Sequence, residues 1–232
     1  MLIPITRQKF EQLIPLVATG PQYVYFWGNF QVFLKRFLIS VIAVVGVLIL
    51  KFFLGPGFDG LSLLIGIITA LYWLWGPIYW ATMRNREMRR YKYSGFWRGE
   101  VVDVYVTEEL IGKEETVNNK GELVIVENRE RRLNVEVEDE TGFTTRLQVP
   151  LRRIHKGITA GQIAEMLVVS DEPDLARIAK TSDIYIPRLD RWVSDYPYLQ
   201  RETFTEVSRK LSRVDRDDYP EERVVKSRRR KR

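Results

Sequence analysis

The chain has 232 residues, with 36 lysines and arginines against 30 aspartates and glutamates, one histidine and no cysteine. The missing thiol excludes cysteine catalysis, iron–sulfur clusters and disulfides, and one histidine excludes a multi-histidine metal centre within a single chain. The net charge of +6 is concentrated at one end, because residues 208–232 carry 11 Lys/Arg and 5 Asp/Glu, a difference of +6.

Residues 6–18 place Phe10, Leu13, Ile14 and Val17 on one stripe, with Arg7, Lys9 and Glu11 elsewhere on the wheel. This spacing predicts a short amphipathic helix, bent by Pro15 and stopped near Gly20-Pro21. Tyr23, Tyr25, Phe26, Trp27, Phe30 and Phe33 follow. A basic turn running into an aromatic cluster suits a segment lying in a membrane interface, the alternative being a helix packed on the soluble domain.

Two apolar runs come next, over residues 37–54 and 61–81, separated by Gly55-Pro56-Gly57-Phe58-Asp59-Gly60. At about 1.5 Å per residue the shorter run already extends about 27 Å, close to a hydrocarbon core. The short Gly/Pro connection predicts a tight transmembrane hairpin. Lys35 and Arg36 precede it, Arg84, Arg86, Arg89, Arg90 and Lys92 follow it, and the connection carries only Asp59. Cationic flanks resist translocation, so both termini are expected on the cytoplasmic side, with those five trailing cations at a membrane surface carrying anionic lipid. Lys51 is expected to snorkel from inside the first run. In the second run Gly76-Pro77 predicts a kink. Trp75, Tyr79 and Trp80 form an aromatic belt, while Tyr72 and Trp73 lie deeper, where they would join that belt or pack on a partner helix or on a flat cofactor in another subunit. Gly66 and Ala70 make a small-xxx-small step expected to pack on Ala43 and Gly46.

Beyond Tyr93 the pattern changes to period two, the mark of half-buried strands. Strands are predicted over 97–106, 123–126, 163–169 and 184–186. The clearest hairpin alternates over 133–137 and 143–149 around Asp139-Glu140-Thr141-Gly142. Asp171 and Pro173 predict a short helix to Ala179. Glu108, Glu109, Glu114 and Glu115 read as a solvated acidic loop, since they lack EF-hand spacing. His155 stands alone between Arg153 and Lys156. No Gly-rich phosphate loop, Walker lysine or nucleophile elbow occurs. A last helix is expected over 201–211, with Phe204, Val207 and Leu211 on one face. Lys226 and Arg228, Arg229, Arg230, Lys231, Arg232 end a basic tail suited to weak contact with anionic lipid or with ribosomal RNA.

Together these features predict an α+β membrane protein: a two-helix transmembrane hairpin, a small cytoplasmic antiparallel β-barrel or sandwich, and a disordered basic tail. The expected segments are 1–32 interfacial, 33–83 hairpin, 84–93 basic linker, 94–200 β-rich domain, 201–212 helix and 213–232 tail. No catalytic residue, metal or cofactor is expected, and no small-molecule substrate is evident.

Thr6-Arg-Gln-Lys-Phe-Glu-Gln-Leu-Ile-Pro15, Ala18-Thr-Gly-Pro-Gln-Tyr23, Tyr72-Trp-Leu-Trp-Gly-Pro77, Ser94-Gly-Phe-Trp-Arg-Gly99 and Trp192-Val-Ser-Asp-Tyr-Pro-Tyr198 resemble an uncharacterised membrane-protein family of cyanobacteria. Members of that family are commonly labelled phosphate ABC transporter permease. The resemblance spans residues 1–211 and brings no catalytic residues. It implies a thylakoid or plasma membrane of a photosynthetic bacterium. The resulting expectation is a non-enzymatic accessory or assembly protein, its hairpin docked to another membrane complex and its β-domain binding a partner. The alternative is an auxiliary subunit of an ABC-type phosphate transporter.

Overall fold

The computed structural model describes residues 1–117 and 123–218, so the tail cations Arg228, Arg229, Arg230, Lys231 and Arg232 lie outside the described residues. In chain order the elements are β1 (Leu2–Pro4), α1 (Arg7–Leu13), α2 (Gly20–Trp27), α3 (Phe30–Leu54), α4 (Asp59–Ala70), α5 (Tyr72–Arg89), β2 (Tyr93–Val117), β3 (Leu123–Glu138), β4 (Thr144–Pro150), β5 (Ile163–Ser170), β6 (Lys180–Thr181), β7 (Ile184–Ile186), β8 (Arg191–Val193) and α6 (Arg201–Asp218). They fall into two compact units. A sheet unit holds Met1–Leu13, Lys92–Asp195 and the chain from Leu199, and a helical unit holds Ile14–Tyr91 with Tyr196–Tyr198.

The sheet unit is one open antiparallel sheet in the order β4-β3-β2-β5-β7-β8, with β1 added to β2 and β6 to β5. Its end strands β4 and β8 do not pair with each other, so the expected closed barrel or two-sheet sandwich is not formed. The predicted hairpin is present in the register its alternation demands, with Leu133 opposite Val149 and Val135 opposite Leu147. Those side chains join Trp97, Val101, Val137, Ala164, Met166, Val168, Ile184, Ile186 and Val193 in one buried core. The opposite face buries Phe96, Tyr185 and Trp192 under Phe204 of α6, whose ring stacks on Phe96 at 5.3 Å and meets Trp192 edge-on at 5.4 Å. Helix α6 runs on to Asp218, past the expected end at residue 212.

Several local expectations fail for identifiable reasons. The N-terminal stripe is divided: Phe10 and Leu13 are buried in the sheet unit, where β1 pairs with β2 and the Gln200 amide donates to the Leu13 carbonyl, whereas Ile14 is buried in the helical unit and Val17 is exposed. Gly20-Pro21 opens α2 instead of stopping a helix, because proline is tolerated in a first turn whose amides have no intrahelical partner. The Thr19 amide donates to the Gln22 side chain at 3.0 Å and closes that turn. Residues 171–179 make turns and not a helix. Leu175 is buried in the left-handed region at φ 58°, and the Ser170 hydroxyl accepts from the Glu172 amide while donating to the Arg177 carbonyl. The acidic stretch 107–117 is strand, not loop, because β3 supplies its cross-strand neighbours and sets Glu108 opposite Arg131.

In the helical unit, α3 has 25 residues, extends about 37 Å, and exposes apolar side chains along its whole length. It is long and apolar enough to cross a membrane by itself. Helices α4 and α5 meet that description only if taken together as one bent span, since they are inclined by 71° at Leu71. The expected kink at Gly76-Pro77 therefore lies upstream, and Pro77 stays inside α5. Gly66 and Gly46 face open space where a Cβ would sit, and Ala70 is exposed, so the small-residue step is not a close helix crossing. Lys51 is not simply snorkelled; its ammonium pairs with Asp59 at 3.1 Å.

Two glycines make opposite predictions. A Cβ on Gly99 would lie 2.3 Å from both the Glu138 carbonyl oxygen and the Trp97 ring, whereas one on Gly66 meets nothing. Gly99→Ala is expected to destabilise the sheet unit by about 3 kcal/mol, at the upper end of the overpacking range. Gly66→Ala should leave stability within about 1 kcal/mol or raise it through helix propensity. Thermal unfolding of the full chain, followed separately by strand and helix signals, tests the contrast.

Candidate functional site

The helix break is built from side chains that satisfy the backbone it disrupts. Leu71 adopts φ −90°, ψ 7°, which takes the Trp73 amide out of the helical ladder. That amide donates to the hydroxyl of Ser40, a residue only 2% exposed on α3, at 3.2 Å. The same hydroxyl donates to the Arg36 carbonyl at 3.2 Å. On the other side of the break the Trp75 indole donates to the Ile68 carbonyl at 2.8 Å, and the Thr69 hydroxyl donates to those of Ile65 and Gly66. Trp73 is packed edge-on against Phe33 and Trp27, at 5.7 and 6.1 Å, so its aromatic partners come from this chain. Tyr72 lies over Gly76, where there is no Cβ to displace it, and meets Trp75 edge-on. Both deep aromatics are half-exposed and already have ring partners within this chain.

A second polar cluster binds the tripeptide Tyr196-Pro197-Tyr198 into the helical unit. The side chains of Gln22 on α2 and Asn85 on α5 are both buried and bond reciprocally: Gln22 Nε2 donates to Asn85 Oδ1 at 3.0 Å, and Asn85 Nδ2 to Gln22 Oε1 at 2.7 Å. Gln22 Nε2 also donates to the Pro197 carbonyl at 2.9 Å. The Tyr196 hydroxyl reaches Ala81 O and Asn85 Oδ1, both at 3.3 Å. Arg84 donates from Nε to the Tyr198 hydroxyl at 2.9 Å, and its guanidinium carbon lies 4.3 Å from the centre of the Tyr196 ring. Each amide in this latch spends its donors and acceptors on the others, so the cluster holds structure and presents no free base or nucleophile.

The five cations expected at a lipid surface consequently separate. Arg84 is committed to the tyrosines and Arg89 donates to the Ile14 carbonyl at 2.7 Å. Arg86, Arg90 and Lys92 are exposed. Gln22, Asn85, Tyr196 and Tyr198 were not singled out by sequence reasoning, although 18–23 and 192–198 are among the stretches that carried the resemblance. Their signal was a lone amide within an aromatic run and another among arginines.

The sheet unit carries a groove of about 1310 Å³ lined by Arg98, Glu100, Glu138, Asp139, Glu140 and Arg188. At its floor Asp139 accepts from Trp97 Nε1 at 2.7 Å and from the amides of Thr141 and Phe143. Burial works to raise its pKa, but these donors together with the Thr141 hydroxyl outweigh it and hold the carboxyl below the usual range. His155 is buried with Nδ1 facing the Arg152 amide at 3.4 Å; burial first, then the Arg152 charge, push its pKa down. The Tyr185 hydroxyl donates to Asp190 at 2.9 Å, and burial with that bond pushes it up to about 12. Among the described residues no group of three or more His, Asp or Glu could hold a metal ion, and Glu108, Glu109 and Glu115 lie strung along β2.

A family model covers residues 3–217, nearly the whole chain, and its description is a family of unknown function, DUF8619. The chain belongs to the DUF8619 family. No curated protein and no solved structure matches it. The DUF8619 match takes in both the sheet and the helix break, so the two units are parts of one family architecture.

Asp139 gives a pH prediction. Its folded pKa lies below the unfolded value near 4, so its contribution to stability is complete above about pH 4 and is lost as pH falls through the folded pKa. In Asp139→Asn one amide donor must face another donor, at a cost of about 1–3 kcal/mol near neutral pH. The variant should also show a shallower loss of stability below pH 4 than the parent in acid unfolding curves.

Proposed function

We propose that this chain is a membrane-anchored, non-enzymatic accessory protein. Its helices dock to another membrane complex, and its sheet unit is held at the bilayer to bind a protein partner. The observation that carries this reading is the contrast between the units. Helix α3 turns apolar side chains outward along its whole length on every side except the stripe Phe33, Arg36, Ser40, Ala43, Val44 and Val47, as a lipid-facing helix packed on a neighbour does, while the sheet unit buries an ordinary apolar core and carries a charged groove. In this reading α4 and α5 form a bent second crossing, and both termini are cytoplasmic. Lys35, Arg36, Arg86 and Arg90 lie at that surface, in a thylakoid or plasma membrane as the resemblance implies. The proposed ligands are membrane lipids and a protein complex, with the basic tail adding weak anionic-lipid or ribosome contact.

One observation favours a second reading, an auxiliary subunit of an ABC-type transporter. Broken helices with side-chain-satisfied ends recur where transporters bind substrate, and Leu71 is such a break. Here aromatic rings fill the space beside it, which favours the accessory role.

The chain has no cysteine, so single introduced thiols report topology without background. Gly57→Cys, in the α3–α4 connection, should react with a membrane-impermeant maleimide added to the periplasmic or lumenal face of sealed vesicles. Thr144→Cys, exposed on β4, should react only after the membrane is opened. Labelling of both from the same face would refute the two-crossing anchor. Mild-detergent purification of the tagged chain then separates the two roles: a transporter ATPase in stoichiometric yield supports the second, and a different membrane complex supports the first.

A further inference from the structure

Strands β2 and β3 run far beyond the sheet that anchors them. β5 pairs with β2 only over 93–100, with two further bonds between Val101 and residues 161–162, and β4 pairs with β3 only over 132–138, with one further bond from the Leu151 amide to the Arg131 carbonyl. The remainder, up to Val117 and from Leu123, is a two-stranded ribbon with two bare edges among the described residues. A ribbon of two strands is marginal in water, and a bare edge invites another strand.

The two edges are not equivalent. β2 carries an extra residue at Val102 and another at Ile111, bulges that bend an edge away from pairing. β3 pairs regularly from Leu123 to Glu138, and its bare stretch opens with Leu-Val-Ile-Val and contains no proline. Leu123 is 76% exposed and Ile125 63%. Further along the same stretch Glu127 and Arg129, of opposite charge, flank the neutral Asn128. Arg129 pairs with Glu127 within the strand at 2.9 Å, and Lys113 approaches Glu127 from β2 at 3.7 Å.

We propose that the bare edge of β3 is a self-association surface that pairs antiparallel with β3 of a second copy, on a two-fold axis through Asn128. In that register Glu127 of each copy stands opposite Arg129 of the other, so the sheet face carries a quartet of alternating sign. Asn128 meets Asn128. The pairing must be short, because Arg131 already uses its outer edge for Leu151. A two-fold axis at Asn128 leaves 126–130 free to pair in both copies. That pairing turns residues 126–130 of each copy from an edge into an interior strand. The proposal does not depend on the membrane reading.

Disulfide trapping tests it on the full chain in mild detergent and in proteoliposomes. Residues facing each other across an antiparallel pair have Cα atoms about 4.5–5.5 Å apart, within disulfide reach. Asn128→Cys should therefore give a covalent dimer under mild oxidation in far higher yield than Lys113→Cys or Thr144→Cys. Adding Arg129→Glu puts like charges opposite each other twice and should lower that yield about tenfold. The double exchange Glu127→Arg with Arg129→Glu reverses every pair and should restore it, which loss of folding could not do. Equal trapping at the three positions, no trapping at 128, or an unchanged yield with Arg129→Glu would each overturn the proposal. Thermal unfolding of each variant confirms that the sheet is intact.

Discussion

A polar group shut away from water must find a partner inside the protein, and in the helical unit of this chain that requirement organises nearly everything. Gln22 and Asn85 are neutral amides with no solvent to satisfy them, and each offers the other both a donor and an acceptor. The surplus donor of Gln22 falls on the Pro197 carbonyl, and Tyr196 adds its hydroxyl to Asn85. Deleting one member would leave the rest unpaired, which costs more than the bond itself is worth in water. The same demand explains the Leu71 break. A 71° bend frees a backbone amide and a carbonyl, and Ser40 and Trp75 are placed to take them. With those partners the break is a built element of fixed geometry, and Pro77 sits inside the helix that follows it.

The sheet unit solves a different problem, that of assembling a core from short strands. β2 is the spine. On one edge it pairs with β5, and on the other it pairs first with β1 and then with β3. The changeover falls at Gly99, where the Glu138 carbonyl and the Trp97 ring approach too closely for any side chain. Beside it Trp97 is buried with its indole bound to Asp139, so the hairpin turn is tied to the strand that carries the core tryptophan. The crossing of β2 past both neighbours also leaves the ribbon projecting, and its two edges differ because the bulges sit on β2 alone.

Part of this architecture was readable before any coordinates. The long apolar helix, the β3–β4 hairpin with its register and the change of composition after Tyr93 are local properties of period, run length and turn residues. The candidate surface cations were readable only as a set. Their division into committed Arg84 and Arg89 and exposed Arg86, Arg90 and Lys92 depends on which residues approach α5, and Tyr198 is far away in sequence. The acidic stretch of β2 was misread for a related reason. Glutamates have low strand propensity, and their strand is formed because β3 supplies a continuous partner ladder, with Arg131 opposite Glu108 and Arg132 reaching Glu109 diagonally at 3.1 Å.

The sequence by itself determined that the chain has an apolar segment long enough to cross a bilayer, a strand-rich region with its own alternating core positions, and no thiol or multi-histidine chemistry. These follow from composition and from short-range periodicity, which each residue carries with it. Only the tertiary structure decided that the second apolar run breaks at Leu71, that Phe10 and Leu13 of the N-terminal stripe are buried in the sheet unit, and that Gln22, Asn85 and Tyr196 share one buried network. Those outcomes turn on which distant group is at hand to complete a hydrogen bond or fill a space, and no local pattern encodes that.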